Sequence, residues 1–174
     1  MKARNMALCA LFAALLSVCA WLSVPVGDIA FTMQTFGIFL TLELLGGKQG
    51  TLAILVYLLL GAAGLPVFSG FRSGLGALLG VTGGYILGFL AIGLVYWLLT
   101  GLAGEKFRLP AMLLGLSACY LFGSLWFRFG YLQGGNTLGL GMIFVKCVLP
   151  YVIPDIIKLV LSRYLAQKLK RFVY

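Results

Sequence analysis

Apolar runs long enough to cross a lipid bilayer follow one another along almost the whole chain, and this pattern constrains the fold most. Hydrophobic residues make up 62% of the 174 positions, the mean hydropathy is +1.09, and only 10% of the residues are charged. A soluble domain carries roughly a quarter charged residues. A transmembrane helix needs about 20 apolar residues, which leaves room for about six crossings and little else. We therefore predict an all-α integral membrane protein, with residues 1–174 forming a single transmembrane domain.

Glycine, proline and polar residues divide the chain into a predicted bundle of six transmembrane helices. These helices cover about residues 3–24, 35–45, 49–63, 82–102, 109–129 and 154–172. The second is short unless residues 27–34 pack as a re-entrant lead-in to it. Pro154 favours a helix start at that position, because a first-turn proline needs no N–H partner. The alternative is one long C-terminal helix kinked at Pro150 and Pro154.

The basic residues are unevenly distributed between the two sides of these predicted crossings. The positive-inside rule places the basic side in the cytoplasm, so we predict a multi-pass protein of the cell membrane with both termini cytoplasmic. Much of the net charge of +9 is then a topology signal, and no nucleic-acid partner is needed to explain it. The basic side carries Lys2, Arg4, Lys48, Lys106, Arg108, Arg163, Lys168, Lys170 and Arg171.

The residue types needed for common enzyme and metal sites are missing or isolated. The chain has no histidine, which excludes histidine-based triads and H-E-x-x-H metal sites. Its four cysteines fall in apolar segments without a paired spacing, which indicates apolar packing rather than disulfides or metal ligands. We therefore predict a protein that is not an enzyme and has no catalytic residues, metal or cofactor.

Asp155 and Lys158 lie three residues apart in an otherwise apolar segment. This spacing puts both side chains on one helical face. A charged group at bilayer depth costs a few kcal/mol, so such residues usually face a partner, a cavity or a ligand. Two interpretations remain: the pair grips a small molecule with N–H donors and an anionic end, or it is an internal ion pair that neutralises itself.

Other unusual polar residues gather in the loops on the non-basic side, next to the start of the last helix. Irregular backbone near membrane depth persists where it is buried in protein or lines a cavity, so these residues predict a small-molecule pocket. Gly83 and Gly84 alternatively permit close helix packing. Tyr85 alternatively anchors the membrane interface, and Arg72 is alternatively a solvated loop residue. The candidate substrate-binding residues are Phe31, Gln34, Arg72, Gly83, Gly84, Tyr85, Asn136, Asp155 and Lys158.

The first helix carries a row of small residues at alternating spacings of four and three. Such a row lets another helix approach closely. It either packs inside the protein or docks a partner subunit, and the spacing alone does not choose between them. The row consists of Ala3, Ala7, Ala10, Ala14 and Ser17.

Four stretches resemble the BioY family, the biotin-specific substrate-binding (S) components of energy-coupling factor (ECF) transporters. They are Phe-Thr-Met-Gln-Thr at 31–35, Tyr57 with Gly-Ala-Ala-Gly-Leu-Pro-Val-Phe at 61–68, Thr-Gly-Gly-Tyr-Ile-Leu-Gly-Phe at 82–89, and Pro-Asp-Ile-Ile-Lys at 154–158. The resemblance implies six helices, an outward cavity and no ATP site. It also implies that Ala3, Ala7, Ala10 and Ala14 face a transmembrane coupling subunit, itself attached to two cytoplasmic ATPases, with membrane lipid around the bundle.

Biotin matches the chemistry of the candidate residues. Asp155 is expected to accept from the ureido N–H groups, while Lys158 or Arg72 pairs with the carboxylate. Lys158 alternatively holds Asp155 ionised. Gln34 and Asn136 offer mixed donor and acceptor contacts, Tyr85 and Phe31 wall the ring, and Gly83 and Gly84 admit the ligand close to the backbone. The remaining alternatives are an S component for another vitamin, such as thiamine or riboflavin, and a stand-alone carrier.

Overall fold

Long apolar helices make up most of the structure, a computed structural model that describes residues 3–26, 29–133 and 139–173. The helices are α1 (Ala3–Trp21), α2 (Gln34–Ala62), α3 (Gly74–Leu79), α4 (Gly83–Ala103), α5 (Arg108–Gln133), α6 (Leu140–Cys147) and α7 (Leu149–Val173), with single 3₁₀ turns at Ser69–Phe71 and Glu105–Phe107. Within the described ranges, α1, α2, α4 and α5 are each long and apolar enough to cross a membrane, and α6 with α7 forms a further, bent span. The predicted helical architecture with several candidate membrane spans is therefore confirmed.

The helix α2 is a hairpin rather than a straight rod. Gly46 has φ 76° and ψ 176°, a backbone conformation that favours glycine, and it separates the halves 34–45 and 47–62. The Gln34 amide donates to the Tyr57 hydroxyl at 2.7 Å. A straight helix would hold these two residues about 35 Å apart. The two halves agree with the separate predicted helices 35–45 and 49–63.

A short β-hairpin follows α1, where the sequence predicted more helix and a re-entrant segment. Strand β1 (Ser23–Val26) pairs antiparallel with β2 (Ile29–Thr32), and Ser23 lies opposite Thr32. The helix ends at Trp21 rather than near Val24. Alternating β-branched residues and Pro25, which lacks an N–H and is tolerated on an edge strand, favour a strand here. The described residues are thus mostly helical with one small β-hairpin, rather than all-α.

The C-terminal helix starts earlier than predicted. Helix α7 begins at Leu149 and contains Pro154, while the break from α6 falls at Val148 with a bend of 43°. Pro150, in the first turn of α7, occupies the position where proline is best tolerated. Asp155 therefore lies in the second turn of α7, whereas a start at Pro154 would have placed it in the first. The alternative of one longer C-terminal helix agrees with the structure in that α7 continues through Pro154.

Glycines bring α4 and α5 into close contact. A Cβ on Gly84 would lie 2.2 Å from the Cβ of Trp126, and one on Gly115 would lie 2.9 Å from the Cα of Ile92. These distances leave no room for a side chain, so small residues set the separation of the two helices. Both helices agree closely with the predicted spans 82–102 and 109–129. The four cysteines are buried and free, as the sequence predicted.

Ion pairs around the buried Glu43 collect at one end of the bundle. The Glu43 side chain is 5% exposed and lies 3.3 Å from Arg108 and 3.4 Å from Arg163. Glu105 also pairs with Arg108. These contacts bring the bend of α2, the start of α5 and the C-terminal part of α7 together. The same segments carry most of the basic residues that the sequence assigned to one side of the membrane.

Candidate ligand-binding site

A cavity of about 80 Å³ lies among the β-hairpin, α2, α4, α5 and α7, away from the ion pairs of Glu43. Segments that are distant in sequence therefore converge on one site. Five of the nine predicted substrate-binding residues line it, together with others that the sequence did not single out. The lining is Ile29, Ala30, Thr32, Gln34, Thr35, Ser69, Arg72, Thr82, Tyr85, Ile86, Phe89, Leu116, Cys119, Tyr120, Cys147, Tyr151, Asp155 and Lys158.

The carboxylate of Asp155 is held by three hydrogen bonds. Its Oδ1 accepts from the Lys158 ammonium and from the Thr35 hydroxyl, both at 2.8 Å. Its Oδ2 accepts from the Tyr120 hydroxyl at 2.6 Å. An ionised carboxylate offers about four lone-pair sites. One acceptor site therefore remains, and it belongs to Oδ2.

The ammonium of Lys158 is fully engaged by the protein. Besides Asp155, it donates to the Thr32 carbonyl at 2.7 Å and to the Thr35 hydroxyl at 3.3 Å. It also lies 4.1 Å from the centroid of the Phe31 ring, in a cation–π arrangement. An ammonium has three N–H donors, and these contacts use all of them. The internal ion pair, one of the two sequence interpretations, is therefore present in the structure.

Gln34 presents its amide at the cavity in a fixed orientation. Its side-chain oxygen accepts from the Thr32 hydroxyl at 3.0 Å, and its side-chain nitrogen donates to Tyr57 at 2.7 Å. The Tyr57 hydroxyl in turn donates to the Val67 carbonyl at 3.2 Å. Because both ends of the amide are held, one N–H and one lone pair remain for a ligand in a defined geometry.

Arg72 reaches the cavity from the loop after α2. Its Nε donates to the Ser69 carbonyl at 3.2 Å, and one terminal nitrogen donates to the Ser69 hydroxyl at 3.4 Å. The residue is exposed overall, and a guanidinium has five N–H donors. Arg72 therefore keeps donors that Lys158 lacks.

Tyr85 lines the cavity from α4, and its hydroxyl lies 3.1 Å from that of Ser124 on α5. The residue is buried, at 8% exposure. A position at the exposed membrane interface, the alternative interpretation of Tyr85, therefore does not fit its placement.

Several predicted site residues lie elsewhere. Phe31 contacts Lys158 but is not part of the lining, and Asn136 lies outside the described residues. Gly83 and Gly84 also lie outside the lining: a Cβ on Gly83 would fall 1.8 Å from the Leu78 carbonyl oxygen. Close packing, the alternative interpretation of this glycine pair, is the one that fits their surroundings.

Sequence reasoning missed three residues that shape the site. Thr35 bridges Asp155 and Lys158, Tyr120 holds the second carboxylate oxygen, and Tyr151 donates to the Ile29 carbonyl. The available signal was a polar group in an apolar helix. Threonine and tyrosine are common in such helices, however, and their partners depend on how the helices pack.

The row of small residues on α1 divides between the surface and the core. Ser17 is buried and donates to the Ala13 carbonyl. The four alanines of the row are exposed on the described part of the chain, so packing inside this protein does not account for them. They are Ala3, Ala7, Ala10 and Ala14.

Comparisons with known proteins identify the family. The sequence profile of the BioY family matches residues 1–174. The chain is 40% identical over 170 residues to a probable biotin transporter BioY of Pyrococcus horikoshii, covering 98% of each, and 39% identical over 166 residues to the biotin transporter BioY of Thermotoga maritima, covering 92% of each. The crystal structure of the S-component for biotin from an ECF-type ABC transporter superposes with a TM-score of 0.83 at 26% identity, over 98% of this chain and 92% of that one. As its motifs predicted, the chain belongs to the BioY family.

Proposed function

We propose that this chain is the membrane subunit of a vitamin importer that captures biotin for ATP-driven uptake. Full-length relatives named as biotin transporters support this ligand. For this chain, the observation that carries the proposal is a single cavity lined by both Asp155 and Arg72. The buried Asp155 carboxylate keeps one unused acceptor site, and the Arg72 guanidinium keeps unused N–H donors. Biotin offers the complementary groups: ureido N–H donors and an anionic tail. The function is transport and not catalysis.

Asp155 is the proposed acceptor for the ureido N–H. The remaining lone pair of its Oδ2 lies beside the Tyr120 hydroxyl, and the residue is only 3% exposed. A hydrogen bond to an ionised group in such a dry site is roughly twice as strong as one between neutral groups. Gln34, whose amide is held at both ends, is the proposed second polar contact.

Arg72 is the proposed partner of the biotin carboxylate. Lys158 has no N–H to spare, so its proposed role is to hold the Asp155 carboxylate in a fixed orientation. Arg72 lies nearer the solvent and keeps unused donors. The apolar part of biotin would then lie against Tyr85 and the neighbouring aliphatic lining. The contact of Asn136 with biotin stays a prediction.

The proposed topology has six crossings with both termini in the cytoplasm of the cell. The hairpin halves of α2 count as two crossings, and α6 with α7 counts as one. The ion pairs around Glu43 then lie at the cytoplasmic end, together with most of the basic residues. The cavity opens toward the outside.

The exposed alanines of α1 are the proposed contact with a transmembrane coupling subunit, which carries two cytoplasmic ATPases. Ala3, Ala7, Ala10 and Ala14 lie on one face and project no long side chain. A helix can approach such a face closely enough for backbone contact.

Titration calorimetry of the detergent-purified chain tests the ligand and the role of Arg72 together. Wild type should bind biotin saturably. Arg72→Gln should weaken biotin binding roughly tenfold, the low end of the range for a charge-assisted hydrogen bond, because Arg72 is exposed. Biotin methyl ester, which lacks the charge, should bind both proteins equally. Lys106→Gln, which removes an exposed positive charge outside the cavity lining, is the matched control.

The possible outcomes test the identity of the ligand and the role of Arg72 separately. Absence of biotin binding, with heat from thiamine or riboflavin instead, would refute biotin as the ligand. Equal losses of biotin and ester affinity in Arg72→Gln would refute the pairing of Arg72 with the carboxylate and leave the ligand standing.

A further inference from the structure

A second cavity lies on the outside of the helix bundle, between α5 on one side and α6 and α7 on the other. Its volume is about 550 Å³, several times that of the polar cavity. Leu121, Leu125 and Phe144 form its exposed rim, and Leu116 and Tyr120 form part of its lining. We call this cavity the lateral groove.

The hydroxyl groups around the lateral groove are all engaged elsewhere. Ser117 donates to the Leu113 carbonyl at 2.9 Å, and Ser124 lies 3.1 Å from the Tyr85 hydroxyl. The Tyr120 hydroxyl donates to Asp155. The groove therefore offers an occupant almost only carbon, which suits a hydrocarbon chain and leaves a polar peptide or sugar without partners.

The groove runs lengthwise along α5 and has a basic residue beyond one end. On α5 its lining extends from Leu113 to Leu125, about 18 Å at 1.5 Å per residue, a length that suits an acyl chain. Arg128 is exposed and lies one turn beyond Ser124 on the same helical face. A guanidinium at that depth is placed to bind a phosphate.

We propose that the lateral groove binds one acyl chain of a phospholipid from the leaflet on the cavity side, with its phosphate at Arg128. Tyr120 and Leu116 line both the groove and the polar cavity, so they form the partition between the two. The lipid chain packs against this partition from the membrane side and supports the tyrosine that holds Asp155. The lipid is thus a structural ligand that lies on the membrane side of the partition formed by Tyr120 and Leu116.

Native mass spectrometry of the chain exchanged into phosphatidylglycerol-containing detergent tests the proposal without biotin. Wild type should retain one phospholipid per chain. Gly141→Phe should lose it, because a Cβ at Gly141 meets no atom within 4 Å and the added ring enters the groove. Gly101→Phe on α4 also enters open space and is the matched control, with lipid retained. Arg128→Gln should lower retention about fivefold, the worth of one basic residue at a lipid surface.

Photo-cross-linking locates the chain in wild type and needs no variant to fold. Phosphatidylglycerol with a diazirine in one acyl chain should label Leu121, Leu125 and Phe144 in preference to exposed leucines of α1 and α4. No retained lipid, unchanged retention by Gly141→Phe, or labelling spread evenly around the bundle would overturn the proposal. Cross-links between two copies through the groove would also overturn it, because the occupant would then be a second chain.

Discussion

Asp155→Asn tests the centre of the proposed site, because it removes the charge and keeps the size of the side chain. An amide oxygen in place of Oδ1 keeps the hydrogen bonds from Thr35 and Lys158, both at 2.8 Å. The Tyr120 hydroxyl can rotate to accept from the new amide N–H. The acceptor site that we assign to the ureido N–H then becomes a donor, and two donors face each other.

The expected sizes of the losses in biotin affinity and in stability follow from these contacts. A hydrogen bond to a charged acceptor contributes about 1.5–3 kcal/mol, and each 1.4 kcal/mol is tenfold in affinity, so the biotin Kd should rise about 10- to 150-fold. Stability should fall as well, because Lys158 keeps its charge at 5% exposure without a counter-ion. Breaking a buried ion pair from one side costs about 3–5 kcal/mol of unfolding free energy.

A second variant distinguishes lost contact from lost stability. In Asp155→Asn with Lys158→Met, the uncompensated ammonium is gone, so thermal unfolding should recover part of the loss. Biotin affinity, measured by calorimetry below the unfolding temperature, should stay as low as in the single variant. The reasoning is refuted if the single variant binds biotin within twofold of wild type, or if the double variant regains affinity.

Three further substitutions test the packing, the partner face and the ion pairs. Gly84→Ala puts a methyl group 2.2 Å from the Cβ of Trp126 and should destabilise the chain by about 1–3 kcal/mol in thermal unfolding, whereas Gly101→Ala, in open space, should not. Ala10→Leu should leave biotin binding intact and abolish copurification with the coupling subunit; normal copurification would remove the alanine row from that interface. Glu43→Gln removes the carboxylate that two arginines share, while Arg108 keeps Glu105 and Arg163 is about one-third exposed, so the unfolding free energy should fall by about 1–3 kcal/mol, with unchanged melting contradicting a structural role.

Hydropathy and helix-breaking residues were enough to predict most of the fold. The Gly46-Gly47 pair marked the bend of α2, where Gly46 has the positive φ that favours glycine. The β-hairpin was missed because strands of four residues carry too little periodicity to stand out beside an apolar helix. The start of α7 was misplaced because Pro150 and Pro154 both favour a helix start, and the helix begins next to the first of them.

The charged residues of the site were predictable, and their neutral partners were not. Asp155 and Lys158 stood out because charge is rare in an apolar segment. Thr35 and Tyr120 complete the carboxylate's hydrogen bonds, but each comes from a different helix. Gly83 and Gly84 were predicted as site residues because their motif is conspicuous, but they do not line the cavity. Gly83 packs against the backbone of Leu78, and Gly84 packs against Trp126.

Two polar contacts fix α7 against the first half of α2. Thr35 donates to Asp155 at the cavity, and Glu43 pairs with Arg163 at the other end. Glu43 lies eight residues after Thr35, and Arg163 lies eight residues after Asp155, which is about 12 Å along each helix. The two segments therefore run parallel in a fixed register. A slip of one turn would break the Thr35–Asp155 hydrogen bond and the Glu43–Arg163 ion pair at the same time. We therefore expect a movement that opens the cavity to carry these two segments together, so that the ion pairs at the far end move with the site.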